Sequence, residues 1–232
     1  MIHADGHPRS LAELSLLAAL LTASTETGEV IDIYEAAGMP KPELSDLTPA
    51  YIKKVQDASN PQLAIEALRK LVLTESGRAT RSNVIRERAF SERVRKLMNQ
   101  YTNQQLTSAQ VIAELVELAK EVREEKERGA TFDPPLDDDQ LAFYDAVADN
   151  ESARLEQSDD VLAQIARDLV GIMQRDVRTD WTVRDDVRAK LRSSVKRLLV
   201  KHKYPPDQQP DAIVLVLEQM ERLAPRFVDD AA

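Results

Sequence analysis

Asp180-Trp-Thr-Val-Arg-Asp-Asp-Val-Arg-Ala-Lys-Leu-Arg192, continued by Val195-Lys-Arg-Leu-Leu199 and closed by Tyr204-Pro-Pro-Asp207, is the stretch that decides the fold class. Val187, Leu191, Val195, Leu198 and Leu199 recur at three- and four-residue steps, which puts them on one side of an α-helix as a stripe to bury. Thr182 and Asp185 have the spacing of an N-terminal cap, and the double proline at 205–206 is a sharp stop. The opposite face carries Arg184, Arg188, Lys190, Arg192, Lys196, Arg197 and Lys201, a dense cationic row. Trp181, the only tryptophan, stands just before the cap. A large apolar residue there packs down as a staple or core plug, so truncation to alanine is expected to cost roughly 3–5 kcal/mol. Trp181, Thr182 and Tyr204 are read as structural residues.

The same helical grammar extends in both directions. Ser10 and Glu13 have capping-box spacing, and Thr22 to Glu29 breaks the helix that they open. Gly38-Met-Pro-Lys-Pro42 is a rigid turn. Thr48-Pro49 and Asn60-Pro61 repeat one device, a capping side chain followed by proline at the first helical position, so helices are expected near 49–58 and 61–75. Leu63, Ala67, Leu68, Leu71 and Val72 form the buried stripe of the second. Phe90, Val94, Leu97, Met98 and Tyr101 mark a helix over about 82–103. Thr107 and Gln110 open another through Val122, with Glu121 to Arg128 as its charged, solvent-facing end. Gly129 to Asp138 is a loop. Helices follow near 138–149, 159–178, 182–202 and 208–223, capped by Asp137 or Asp138, Ser158 or Asp159, Thr182 and Asp207. No alternating strand pattern stands out. The expectation is an all-α, irregular bundle of about eight to nine helices.

Composition agrees: 43% hydrophobic residues, six glycines and 4% aromatics form a helix-favouring palette able to build a core. Cysteine is absent, which rules out disulfides and thiolate metal sites. The longest apolar run, Leu16-Leu-Ala-Ala-Leu-Leu21, is too short to cross a bilayer. With no secretory pattern at the start, the expectation is a cytoplasmic protein with no membrane partner. The net charge of −9 argues against a whole-surface nucleic-acid binder. Two stretches are locally basic, Arg78 to Lys96 and Arg184 to Lys203, and such stripes track phosphates or acidic surfaces at short range.

Catalytic chemistry is hard to find. The glycines are scattered and no Gly-Lys-Ser/Thr occurs, so no phosphate-binding loop is expected. Glu124-Glu125-Lys126 spells an acid-x-Lys triplet of the nuclease type, but in a helical tail instead of on a strand. Asp137-Asp-Asp139 reads as a helix start, where carboxylates complement the dipole. His3 and His7 lie in a loose terminus, and His202 sits at the end of the basic helix. No catalytic, cofactor or metal residues are assigned.

Several blocks, in order, resemble the carboxy-terminal end of the restriction (R) subunit of type I restriction-modification enzymes. They are Ile31-Asp-Ile-Tyr-Glu-Ala-Ala-Gly-Met-Pro-Lys-Pro42, Phe90-Ser91, Leu106 to Lys120, Leu141-Ala-Phe-Tyr-Asp-Ala146 and the Trp181 segment. They span about 30–222, and the first thirty residues have no counterpart in this likeness. One departure is Lys203, which stands where the family often has Gly before Tyr-Pro-Pro. The resemblance implies domains at 1–30 (tail and first helix), 31–80 (short helices), 81–225 (the family's helical domain) and 226–232 (tail). It further implies a non-catalytic module that docks the motor and nuclease subunit onto the modification (methyltransferase) core. ATP and magnesium would belong to motor and nuclease domains that this chain lacks. The implied partners are the methyltransferase and specificity subunits and the rest of the R subunit. The alternative is a DNA-backbone module in which the basic helix 182–202 meets duplex DNA.

Overall fold

The computed structural model describes residues 53, 55, 60–176 and 185–229. These form α1 (Pro61–Ala79), α2 (Val84–Thr102), α3 (Ser108–Glu125), a 3-10 turn (Arg128–Thr131), α4 (Asp138–Ala148), α5 (Glu151–Glu156), α6 (Asp159–Asp176), α7 (Asp185–Lys201) and α8 (Gln209–Asp229), with no strand among the described residues. Lys53 and Val55 are also helical. The expected all-α bundle is the fold observed. The helix opened by Ser10, the rest of 49–58, and Trp181 and Thr182 lie outside the described residues.

Local capping chemistry fixes most of the helix starts. Asn60 accepts from the amides of Gln62 and Leu63, with Pro61 at the first helical position. Thr107 with Gln110, and Asp137 with Gln140, form reciprocal capping boxes. Ser158 Oγ accepts from the Val161 amide at 3.4 Å, while Asp159 accepts the Tyr144 hydroxyl at 2.8 Å. The α2 cap is Asn83, which accepts from Arg86 N. Asp207 does not cap α8: the helix starts at Gln209, and the Asp207 carboxylate takes the Gln208 side-chain amide. Helix α8 also runs past the expected end near 223, through Pro225 to Asp229. Helix α5 was not expected; its signal is Asn150, which caps Ser152 N.

The helices bury two separate apolar cores. The first gathers Val55 with α1, α2 and α3, and α1 packs broadly on α3 through Ala64, Leu68, Leu71 and Val72 against Val111, Leu115 and Val122. The second gathers α4 to α8 around Phe143, Leu162, Leu169, Leu191, Val195, Tyr204, Val216 and Met220. The connection is residues 126–135. There Gly129 passes so close to the Leu136 carbonyl that any side chain would collide with it. Residues 80 and 81 lie between α1 and α2, which share the first core.

Glu121 to Arg128 is solvent-facing only in part: Arg123, Glu124, Lys126 and Glu127 are exposed, but Val122 and Glu125 are buried. Glu125 is 6% exposed, and its carboxylate accepts from Arg86 (Nη2, 2.7 Å) and Arg128 (Nε, 3.0 Å). Arg128 also makes a two-pronged bond to Asp145, which is 8% exposed and accepts from Asn83 Nδ2 at 2.6 Å. Burial acts to lower the Arg128 pKa, but the Asp145 and Glu125 carboxylates outweigh it and raise it. Apart from Glu125 and Arg128, three residues apart, these partners lie 17 to 62 residues apart in sequence, so no local pattern announces them.

Candidate partner interface

Helix α7 lies on the second core, where Leu191, Val195 and Leu199 are fully buried and seat it against α6 and α8. Its end is shaped by a Schellman motif: Tyr204 N donates to Leu199 O at 2.9 Å and Lys203 N to Val200 O at 3.0 Å. The motif requires a left-handed residue, and Lys203 takes it with φ 55°. That is the position where the resemblance implies glycine. Lys203 O in turn accepts from Gln157 Nε2 at 2.9 Å, tying α5 to the end of α7. Tyr204 is buried and donates its hydroxyl to Val147 O at 2.7 Å. Burial, together with the charges of Asp149 and Asp207, pushes the phenol up to about 12.

With its stripe facing inward, α7 turns cations outward. From Val187 to Lys203 no acidic residue occurs. The candidate residues differ in how they are held. Arg188 reaches α8 and pairs with Glu221 at 2.6 Å. Lys201 lies 3.5 Å from Asp168 on α6, which also meets His202 Nε2 at 3.1 Å. Burial alone would raise Asp168, but the hydrogen bonds from His202 and Gln164 and the Lys201 charge hold it below the usual value. Arg197 donates to Ser194 Oγ at 3.3 Å, and Lys190 is exposed but partnered. Arg192 and Lys196 are exposed, with no carboxylate partner among the described residues. Arg184 lies outside the described residues. Lys203, which closes the basic stretch but is not among the candidate residues, is exposed as well.

The first basic stretch has a different fate. Arg86 is bound to Glu125, Arg88 to Glu218 at 2.6 Å, and Arg93 to Glu121 through both guanidinium nitrogens. The Arg93 hydrogen bond holds the Glu121 carboxyl below its ordinary range, against the opposing effect of burial. These three arginines join helices to one another, Arg78 pairs with Glu75 within α1, and Arg95 and Lys96 border a groove with Asn99, Gln100 and Asn103. The Glu124-Glu125-Lys126 triplet ends a helix, with Glu125 held by two arginines. Among the described residues, no three His, Cys, Asp or Glu side chains gather so as to hold a metal ion. No described helix is long and apolar enough to cross a membrane.

A helical region with one cationic helix face is a general form, and comparison with known proteins makes it specific. Residues 6–226 match the family described as type I restriction enzyme HindI endonuclease subunit-like, C-terminal. The chain belongs to that family. The match takes in most of the first thirty residues, so they are part of the endonuclease-subunit region as well. The type I restriction enzyme HindI endonuclease subunit of Haemophilus influenzae is 30% identical over 209 residues, covering 90% of this chain and 20% of the relative. The putative type I restriction enzyme MjaIXP endonuclease subunit of Methanocaldococcus jannaschii is 28% identical over 183 residues, covering 78% of this chain and 17% of the relative. The chain thus spans about a fifth of the length of these curated relatives. No solved structure matches it.

Proposed function

We propose that this C-terminal region is a non-catalytic docking module of a type I restriction endonuclease subunit, and that the outer face of α7 joins that subunit to the modification (methyltransferase) core. The observation that carries this reading is the acid-free stretch 187–203, which exposes Arg192, Lys196 and Arg197 on a helix whose apolar side is already buried. Packing fixes the helix, so the cations are presented without reorganisation and favour an acidic partner surface. ATP and magnesium chemistry belongs, in this reading, to the remaining four-fifths of the subunit. The specificity subunit and the rest of the R subunit complete the partner set, in the cytoplasm.

A second reading rests on Arg192 and Lys196. Cations without an internal carboxylate partner suit DNA phosphates equally well, since each phosphate neutralised releases about 0.9 counterion from the duplex. One variant tests both. Arg192→Glu, Lys196→Glu and Arg197→Glu together reverse the face without disturbing the core. Arg188 is left intact, because reversing it would oppose Glu221 with a like charge. In the full subunit this variant is expected to assemble poorly with the modification complex while keeping its helical circular dichroism. Loss of duplex binding with assembly intact would favour the DNA reading. If neither changes, the face is ordinary solvated surface.

A further inference from the structure

The two cores share no buried apolar residue, and where they meet the buried Val84 and its neighbour Ile85 sit among polar groups. Ile85 of α2 is a half-buried apolar side chain reaching the second core. Around it, Gln219 of α8 bonds the start of α2 twice, accepting from Val84 N at 3.0 Å and donating to Ser82 O. Asp145 of α4 is held from the other side by Asn83 and Arg128. At the rim, α2 and α8 exchange a crossed set of ion pairs, Arg88 with Glu218 and Arg222 with Glu87, each pair about half exposed. Arg128 lies within the connection itself. It reaches back to Glu125 and forward to Asp145, and so sets the angle between α3 and α4.

We infer that this seam is a releasable latch: the two helical units keep their own cores and part along the seam when the Arg128–Asp145 bridge and the rim pairs are lost. Three physical facts support it. Parting uncovers Val84, Ile85 and one side of α4, whose residues 141–148 are all buried, but most apolar residues of α2, α4 and α8 stay within their own cores. The polar groups uncovered are charges and backbone groups of a helix start, which water satisfies readily. The rim pairs, about half exposed, gain little from proximity once salt screens them. The consequence is mechanical. The α7 face rides on the second unit, so the latch sets its orientation relative to the first, whatever α7 binds.

The absence of cysteine allows clean labelling. Spin labels at Ala113→Cys on α3 and Ser193→Cys on α7, both exposed, report the distance across the seam by pulsed electron paramagnetic resonance. The test variant is Arg128→Met with Asp145→Leu. It strips the bridge while leaving Glu125 paired with Arg86, so no buried charge is stranded. At low salt the otherwise unmodified labelled chain should give one narrow distance. The variant should add a longer one, with amide exchange still slow in both α3 and α6. A rim variant, Arg88→Ala with Arg222→Ala, removes no core atom and should show the longer distance at lower salt than the parent. A single unshifted distance in both variants overturns the latch. Simultaneous loss of exchange protection in α3 and α6 overturns it too, since the chain would then unfold as one unit.

Discussion

At the scale of the residue, Lys203 shows how a position can be read correctly as special while its geometry stays hidden. The resemblance implies glycine there, and the geometry supplies a reason: φ is 55°, in the left-handed region that L side chains enter at a cost. Lys203→Gly should raise the unfolding free energy by about 0.5–1 kcal/mol, net of glycine's extra chain entropy, measurable as a shifted urea midpoint. Gln104, φ 57°, ends α2 in the same motif. Tyr204 makes the opposite case. Its hydroxyl is buried on Val147 O, so Tyr204→Phe should cost about 1–2 kcal/mol by leaving that carbonyl unmatched. An unchanged melting temperature would contradict this. Neither backbone state was legible, because no glycine marks either turn.

At the scale of the element, helix starts were readable because their chemistry is local. Asn60, Thr107 with Gln110, and Asp137 each find partners within three residues. What escaped needs distant partners. Glu125 reads as tail charge until Arg86 arrives from 39 residues away, and the 78–96 stretch reads as free surface until α3 and α8 supply its carboxylates. The α6–α7 contact gives a pH test. Asp168 is depressed in the folded chain by His202, Gln164 and Lys201, so its contribution is fully present above the ordinary value of 3.8 and fades as pH falls through the depressed one. Asp168→Asn should therefore destabilise the chain at neutral pH and reduce the loss of stability on acidification below about pH 4. Parallel acid-unfolding curves for variant and parent would refute that contact as the source.

At the scale of the whole molecule, fold class and family were within reach of the sequence, since amphipathic spacing, capping and ordered blocks survive without coordinates. The partition into two cores was not, because it depends on which stripe meets which across residues 126–135. The candidate face was half legible. The cations of α7 could be enumerated, yet Arg188 and Lys201 turn out to be tethered to Glu221 and Asp168, while Arg192 and Lys196 are not, among the described residues. The most direct test of docking is the affinity of this chain for a purified methyltransferase and specificity-subunit complex, free of DNA, at about 50 and 200 mM salt. The account predicts binding at the lower salt that weakens at the higher and is lost in the Arg192, Lys196 and Arg197 charge reversal. A folded chain that captures no complex at either salt would contradict it.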